Sequence, residues 1–326
     1  MIEKHRQQQF REPDGFRGKF ATFIAGIPYK YIAGAGRVLG MLMYSLDVPH
    51  RRIVRRNLKF VYPEWKQDRI KQISKRIFQN IGITIMEICQ MTCFSKDDIL
   101  RKARIRGEDN IENALKEQRG AVIISAHLGN WEMGPLFVPF CFNTPFVGVA
   151  RKLRFKPINR LILRIRTRFG GTVIDKEEAL SEMMRTLRRG QMIGIMVDQG
   201  TKRSESVDVT FLGHKVRSTP AAALLAIRCK SPVIPVFCIR DADGRLAIIV
   251  EKPLELIRTK DLRSDLITNT QIMTDAIEKA VRTYPDQWFW VHKRWKHHYP
   301  DMFPEYQKKR IRRRAKKVRR PQSGSS

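Results

Sequence analysis

The sequence predicts an α/β fold with a largely parallel central sheet flanked by helices. Between residues 110 and 282, short runs rich in Val and Ile alternate with longer segments whose apolar residues recur every three or four positions. Alternating strands and helices are typical of a parallel sheet covered by helices on its faces. The 326 residues, 42% of them hydrophobic, suffice for one domain with a full core and a flanking segment at each end.

Hydrophobic periodicity assigns the individual elements in chain order. Isoleucines at three- and four-residue steps predict a long amphipathic helix over 65–91. Further helices are predicted at 110–118, 157–169, 176–189, 221–229 and 262–282, and strands at 121–124, 146–150, 172–174, 192–197, 233–239 and 246–250. The polar segment 200–218 is predicted to be a long loop, a kind of segment that is often functional.

An apolar stretch over 16–46 sets the N-terminal part of the chain apart. Lys30 and Arg37 interrupt it, and Pro28 would kink a helix there. Because basic residues flank it on both sides, an interfacial helix fits better than a membrane span, and an ordinary amphipathic helix of the domain is the alternative. We therefore expect a membrane-associating helical arm.

The net charge of +31, from 63 Lys and Arg against 32 Asp and Glu, is the unusual feature of the composition. A field of that sign attracts polyanions, so nucleic acid, anionic lipid headgroups and acidic carrier proteins are the candidate partners. Ten of the basic residues lie in 308–320, but the remainder of the chain is basic as well. The five cysteines lie mostly in apolar stretches, and no secretory signal is evident, which favours reduced cysteines in a cytosolic setting.

A histidine and a glutamate five residues apart form the candidate site. His127 follows a buried strand, and Glu132 falls where an apolar helix begins. Gly129 frees the turn between them, and Asn130 is a plausible N-cap. With Glu132 in the first helical turn, its carboxylate could bond one imidazole nitrogen and raise the basicity of the other. The alternative is a structural histidine that caps the strand end.

Two more charged residues, Arg151 and Asp198, follow predicted strands directly. Ligands of open α/β sheets gather at the carboxyl ends of the strands, so we expect His127, Arg151 and Asp198 in one cleft. Asp198 would either orient a basic group or cap a turn.

The aromatic and basic block over 288–298 contains three histidines, at 292, 297 and 298. Because few carboxylates and no thiolates lie near them, we predict no metal site here and no cofactor for the protein. Tryptophans beside Lys and Arg suit a membrane interface, and a packed C-terminal segment is the alternative.

Several blocks in order along the chain resemble one family. SAHLGNWE at 125–132 resembles the signature of the bacterial lipid A late acyltransferases, the lauroyl and myristoyl transferases, within the class of histidine-x4-acid glycerolipid acyltransferases. The similarity continues in RIVRRNLKFVYPE at 52–64, GIMVDQ at 194–199, VTFLG at 209–213, TPAAA at 219–223 and QWFWVHKRWK at 287–296. Together these blocks cover about residues 35–300.

The resemblance implies a glycerolipid-acyltransferase-like fold and a transfer reaction at the cytoplasmic face of the inner membrane. An acyl group would move from acyl-carrier protein (or acyl-CoA) to a hydroxyl of a lipid A precursor. His127 would act as general base, with Glu132 stabilising its imidazolium. Transfer would be direct, because no Gly-x-Ser-x-Gly elbow is present and Ser125 is expected to turn away.

The family also carries an arginine at the strand end matched by Arg151, and another four residues before a glycine, matched by Arg166. Either would stabilise the oxyanion or bind the acceptor. The implied organisation is a membrane-associating arm at 1–48, an acyltransferase domain at 49–305 and a basic tail at 306–326 that we expect to be disordered. Alternatives are a glycerolipid or glycosylated phospholipid acceptor with acyl-CoA as donor, and a nucleic-acid-binding protein.

Overall fold

The structure, a computed structural model, describes residues 19–149, 156–167, 171–174, 179–241 and 243–307. The strands in chain order are β1 (Ala103–Arg106), β2 (Ala121–Ser125), β3 (Phe146–Val149), β4 (Gly171–Ile174), β5 (Met192–Met196), β6 (Val207–Phe211), β7 (His214–Ser218), β8 (Val233–Arg240) and β9 (Leu246–Val250). The helices are α1 (Lys19–Gly26), α2 (Tyr29–Leu46), α3 (Val48–Val61), α4 (Gln67–Met91), α5 (Lys96–Lys102), α6 (Glu108–Lys116), α7 (Met133–Phe142), α8 (Lys156–Thr167), α9 (Ala179–Arg188), α10 (Ala221–Cys229) and α11 (Leu262–Thr283).

Seven strands form the central sheet in the order β1-β9-β8-β2-β5-β3-β4. The five strands from β8 to β4 run parallel, β9 is antiparallel to β8, and β1 is parallel to β9. The predicted α/β fold with a largely parallel sheet is therefore confirmed. Because side chains alternate along a strand, Ala121 and Ile123 of β2 belong to the core on one face, and Val122 and Ile124 to the core on the other.

The loop predicted at 200–218 is wrong over most of its length, because β6 and β7 form an antiparallel hairpin there. The two residues between the strands, Leu212 and Gly213, both have positive φ, as a tight hairpin turn requires. Along each strand of the hairpin only alternate residues are buried, including Val209, Phe211 and Val216. The segment has the polar composition of a loop because the residues between the buried ones are largely charged or polar.

The predicted break at Pro28 in the N-terminal arm is confirmed, because α1 ends at Gly26 and α2 begins at Tyr29. Of the described residues, no helix combines the length and apolar character needed to cross a bilayer. One side of α2 packs against α4. Its opposite side exposes apolar side chains at four-residue steps, Val38, Leu42 and Leu46.

The tryptophans of the 288–298 block lie in the core. Trp288, Trp290 and Trp295 are almost completely buried and contact one another through their rings. The buried amide of Asn57 on α3 donates hydrogen bonds to the carbonyls of Trp290 and His292. The expectation of a membrane interface was therefore wrong for these rings, and the packed alternative is what the structure shows.

Candidate active site

His127 and Asp198 face each other across two neighbouring parallel strands. Ser125 and Met196, the last residues of β2 and β5, are register partners, so positions two residues beyond each strand also lie side by side. Asp198 accepts the backbone N–H of His127 through Oδ2 at 2.9 Å, and its Oδ1 lies 2.9 Å from His127 Nδ1. The predicted meeting of His127 and Asp198 at the carboxyl ends of strands is confirmed. Arg151, the third residue expected there, lies outside the described residues.

The Asp198 carboxylate fixes the state of the imidazole. It is 2% exposed and also accepts a hydrogen bond from Trp288 Nε1 at 2.9 Å, whereas the His127 side chain is 21% exposed. A carboxylate partner assigns the proton to Nδ1 and leaves the lone pair on Nε2. Gln199 Nε2 lies 3.2 Å from this nitrogen.

The electrostatics of the pair favour a charged imidazolium. Burial alone would lower the pKa of His127, but the Asp198 carboxylate, assisted by Glu132, raises it above the ordinary histidine value. Burial alone would raise the pKa of Asp198, but His127 and the hydrogen bonds from His127 and Trp288 hold it well below its usual range. The aspartate is therefore ionised, and His127 can accept a proton at low cost.

Glu132 was expected on the imidazole, but it pairs with Arg166 instead. Its carboxylate accepts Arg166 Nε at 2.8 Å and Nη2 at 2.6 Å, and also Trp131 Nε1 at 3.1 Å. The reason is the position of the helix start. Helix α7 begins only at Met133, so Glu132 is its N-cap residue and its side chain reaches α8. The predicted pairing of His127 with Glu132 was thus wrong, and Asp198 holds that position.

The turn after His127 is held in place by hydrogen bonds and by close contact with neighbouring backbone. Gly129 has φ +60°, and a Cβ there would lie 2.1 Å from the Cys238 carbonyl oxygen, which explains the glycine. Its N–H donates to the Gln287 carbonyl, and its own carbonyl accepts the Thr84 hydroxyl. Asn130 was expected to cap α7. Its side-chain amide donates instead to Glu87 Oε2 at 2.9 Å, because the helix starts three residues later.

A buried ion pair that the sequence reasoning missed lies behind this turn. Glu87 of α4 and Arg240 at the end of β8 are each 5% exposed, and two hydrogen bonds of 2.8 and 2.6 Å join them. Burial would lower the pKa of Arg240, but Glu87 outweighs that effect and raises it. Arg240 directly follows the predicted strand, so the strand-end signal used for Asp198 could have found it. Glu87 lies in an isoleucine-rich helix and gives no such signal.

An apolar cleft opens beside His127, on the face of the sheet covered by α7. The cavity itself has a volume of about 100 Å³ and opens to solvent. His127, Glu132 and Arg166 line one part, and the remaining wall is mostly apolar, with Ile123, Trp131, Pro135, Val138, Phe146, Val149, Val173, Met196 and Val236.

Ser125 also lines this cleft, contrary to the expectation that it turns away. Its hydroxyl donates to the Val236 carbonyl oxygen at 2.6 Å, across to the neighbouring strand. The hydroxyl therefore has a structural bond, and the contacts described give it no base. Within the described residues, no three His, Cys, Asp or Glu side chains cluster in a way that could hold a metal ion.

The site combines a histidine oriented by a buried aspartate, a guanidinium held by a glutamate, and an apolar cleft between them. Such an arrangement can take a proton from a hydroxyl beside an apolar ligand and stabilise negative charge next to it.

A sequence model of the family described as bacterial lipid A biosynthesis acyltransferase matches residues 5–297, and the chain belongs to this family. It is an acyltransferase. The chain is 24% identical to the lipid A biosynthesis lauroyltransferase of Escherichia coli (strain K12), over 84% of this chain and 88% of the relative. It is 22% identical to the lipid A biosynthesis palmitoleoyltransferase of the same strain, over 83% and 86%. A phosphatidylinositol mannoside acyltransferase of Mycolicibacterium smegmatis is 27% identical over 57% and 60%.

Proposed function

We propose that the protein transfers a fatty acyl group from an acyl-carrier-protein thioester to a hydroxyl of a lipid A precursor, with His127 as general base. The observation that carries the proposal is the bond of His127 Nδ1 to the buried Asp198 carboxylate, at the side of an apolar cleft. This geometry supports a proton acceptor next to a site for an alkyl chain. The family of the chain supports the reaction type and the acceptor.

In the proposed mechanism the acyl group passes directly to the acceptor. His127 Nε2 removes the proton of the acceptor hydroxyl while the hydroxyl oxygen attacks the thioester carbonyl carbon. Asp198 stabilises the imidazolium that forms. The tetrahedral intermediate then collapses, the C–S bond breaks, and the leaving thiolate takes the proton from Nε2. The products are the new ester and the free carrier thiol, and the histidine is neutral again.

Arg166 supplies positive charge beside the reacting atoms in this proposal, and Glu132 acts by holding it. The two hydrogen bonds between them fix the guanidinium plane at the cleft wall. A cation there would stabilise the oxyanion or bind a phosphate of the acceptor. Glu132 also adds to the field that raises the pKa of His127. Arg151 stays a candidate for the same role from the sequence.

The net charge of +31 supports an acidic carrier protein as donor and a phosphorylated acceptor. Acyl-CoA is also anionic, so charge alone does not separate the donors, and rates with the two thioesters would. The similarity to a phosphatidylinositol mannoside acyltransferase makes a glycosylated phospholipid the second candidate acceptor. A purified-enzyme assay that offers both acceptors with both donors distinguishes all four combinations.

The proposed location is the cytoplasmic face of the inner membrane, with the N-terminal arm lying on the lipid surface. The exposed stripe of Val38, Leu42 and Leu46 supports this placement, together with the basic helix α3 that follows it. Replacing Leu42 by Glu should reduce sedimentation with anionic vesicles, while Ile267→Glu, at an exposed apolar position on α11, serves as the control. Protein that ignores vesicles but binds RNA tightly would favour the nucleic-acid alternative instead.

Mass spectrometry of lipid A tests the proposed function most directly. A strain that lacks the gene should produce lipid A with one acyl chain fewer. The wild-type gene should restore the chain, whereas a His127→Ala gene expressed at the same level should not. An unchanged lipid A profile in the deletion strain would exclude the lipid A acceptor and direct attention to the phospholipids.

A further inference from the structure

Two glycines on adjacent strands line the cleft beside His127, and the ring of Phe146 occupies the place over one of them, Gly194. Gly148 of β3 and Gly194 of β5 are register partners. Paired positions on neighbouring strands present their side chains to the same face of the sheet, so both strands lack a side chain at the same level. Ile123 of β2 pairs with Gly194 on its other side and supplies an apolar wall. The result is a trough in the sheet face under α7.

The ring of Phe146 closes the end of this trough. Phe146 lies two residues before Gly148 on β3, hence on the same face, and is 5% exposed. Its ring reaches over the neighbouring strand, since a Cβ built on Gly194 would lie 2.2 Å from Phe146 Cζ. Phe146 is the first residue of β3, whereas His127 follows the carboxyl end of β2, which runs in the same direction. The ring is therefore at the end of the cleft away from the candidate base.

We propose that Phe146 and Gly148 set the length of the acyl chain that the cleft accepts, an inference that rests on the proposed function. An alkyl chain whose carbonyl lies near His127 would run along the trough toward the Phe146 ring. Each methylene that fits gains about fourfold in binding from its burial, and each one too many meets the ring. The preferred donor is the longest chain that ends before the ring.

The two positions allow changes in opposite directions. Removing the Phe146 ring extends the trough. A side chain at Gly148 shortens or narrows it, and the space exists, because the nearest heavy atom to a Cβ there is 3.8 Å away, on the Phe146 ring itself. Gly194 is unsuitable for this test because any side chain would displace the ring. Phe137 of α7 is equally buried in the same core but is absent from the described wall of the cleft, which makes Phe137→Ala the matched control.

The test is a competition assay with purified full-length protein. Wild-type, Phe146→Ala, Gly148→Val and Phe137→Ala enzymes receive a mixture of saturated acyl-carrier-protein thioesters that differ by two methylenes, with one lipid A precursor. Mass spectrometry then gives the ratio of products. Phe146→Ala should raise the preference for the longer of two adjacent donors by about tenfold, and Gly148→Val should lower it to a similar extent. Phe137→Ala should leave the ratios unchanged even if total turnover falls.

Two results would overturn the proposal. One is a Phe146→Ala enzyme that transfers acyl groups with the wild-type length distribution. The other is a Phe137→Ala enzyme that shifts as far as Phe146→Ala, because a general loosening of the core would then explain both. If Phe146→Ala does not fold, Phe146→Leu and Gly148→Val carry the same test. A wild-type enzyme that transfers no acyl group from any donor overturns the proposed function, whereas active variants without a length shift overturn only this inference.

Discussion

Two carboxylate–base pairs flank the turn that follows His127, and they resemble each other in geometry but not in environment. Asp198 holds His127 on the cleft side, where the imidazole is 21% exposed. Glu87 holds Arg240 behind the turn, where both side chains are 5% exposed. A group that exchanges protons must be titratable and open to its substrate. A group that only holds the chain in place need not titrate. A guanidinium suits that role, because it stays charged even in a buried site.

The comparison predicts that the two pairs fail in different ways when they are broken. Loss of the His127–Asp198 pair should lower turnover while the protein stays folded. Loss of the Glu87–Arg240 pair should lower the free energy of unfolding.

The largest expected effect is on turnover in His127→Ala. Without the general base, the rate should fall by about 10² to 10⁴-fold, while the protein stays folded because Asp198 keeps its hydrogen bonds from the His127 backbone N–H and from Trp288 Nε1. Turnover is measured by acyl transfer and folding by thermal denaturation. His50→Ala, at an exposed histidine paired with Asp47 on α3, is the matched control and should retain full activity. Near-normal turnover of His127→Ala would remove His127 from the mechanism.

The second effect is on stability, at the buried pair. Glu87→Ala or Arg240→Ala leaves an unpaired buried charge and should lower the free energy of unfolding by about 3–5 kcal/mol. The double variant Glu87→Leu/Arg240→Met removes both charges and should be less destabilised than either single variant. Chemical denaturation of the wild type and the three variants measures this coupling. Single variants with wild-type stability would show that the pair does not hold the turn.

The smallest expected effect is on the pH dependence of kcat/KM, which should respond to one pair and not to the other. Only neutral His127 accepts a proton, so kcat/KM should fall on the acid side, with a midpoint above the ordinary histidine pKa because Asp198 raises it. Asp198 favours the imidazolium, so Asp198→Asn should move this midpoint to lower pH in addition to slowing the reaction. The Glu87→Leu/Arg240→Met variant is the control. It removes one charge of each sign behind the turn, and its midpoint should stay in place.

The pair His127–Asp198 is easier to predict from the sequence than the buried pair Glu87–Arg240, for physical reasons. His127 and Asp198 both follow apolar strands, and parallel strands bring their carboxyl ends to one edge. The partner of His127 was assigned to Glu132 because spacing along the chain does not give side-chain direction at a helix start. Asp198 lies 71 residues from His127 in sequence. Only the adjacency of β2 and β5 brings them together, and no local pattern encodes the order of strands.

Other differences between expectation and structure have similar origins. Tryptophans such as Trp288 have an apolar body and a polar N–H, which suits a membrane interface and a core with a hydrogen-bond acceptor equally well. In the structure that acceptor is Asp198. The hairpin of β6 and β7 was missed because Leu212 occupies a turn position where Asn or Asp would have been the usual signal.

The close contact between α2 and α4 has a mechanical consequence. A Cβ on Gly36, Gly40 or Gly82 would come within 2.4 Å of the backbone of the facing helix, so the two backbones touch without side chains between them. The next turn of α4 carries Thr84 and Glu87, which bond the turn after His127. The tightly packed helices α2 and α4 thus connect the exposed face of α2 to the turn after His127. Under the proposed placement of α2 on the lipid surface, this connection fixes the distance between that surface and His127.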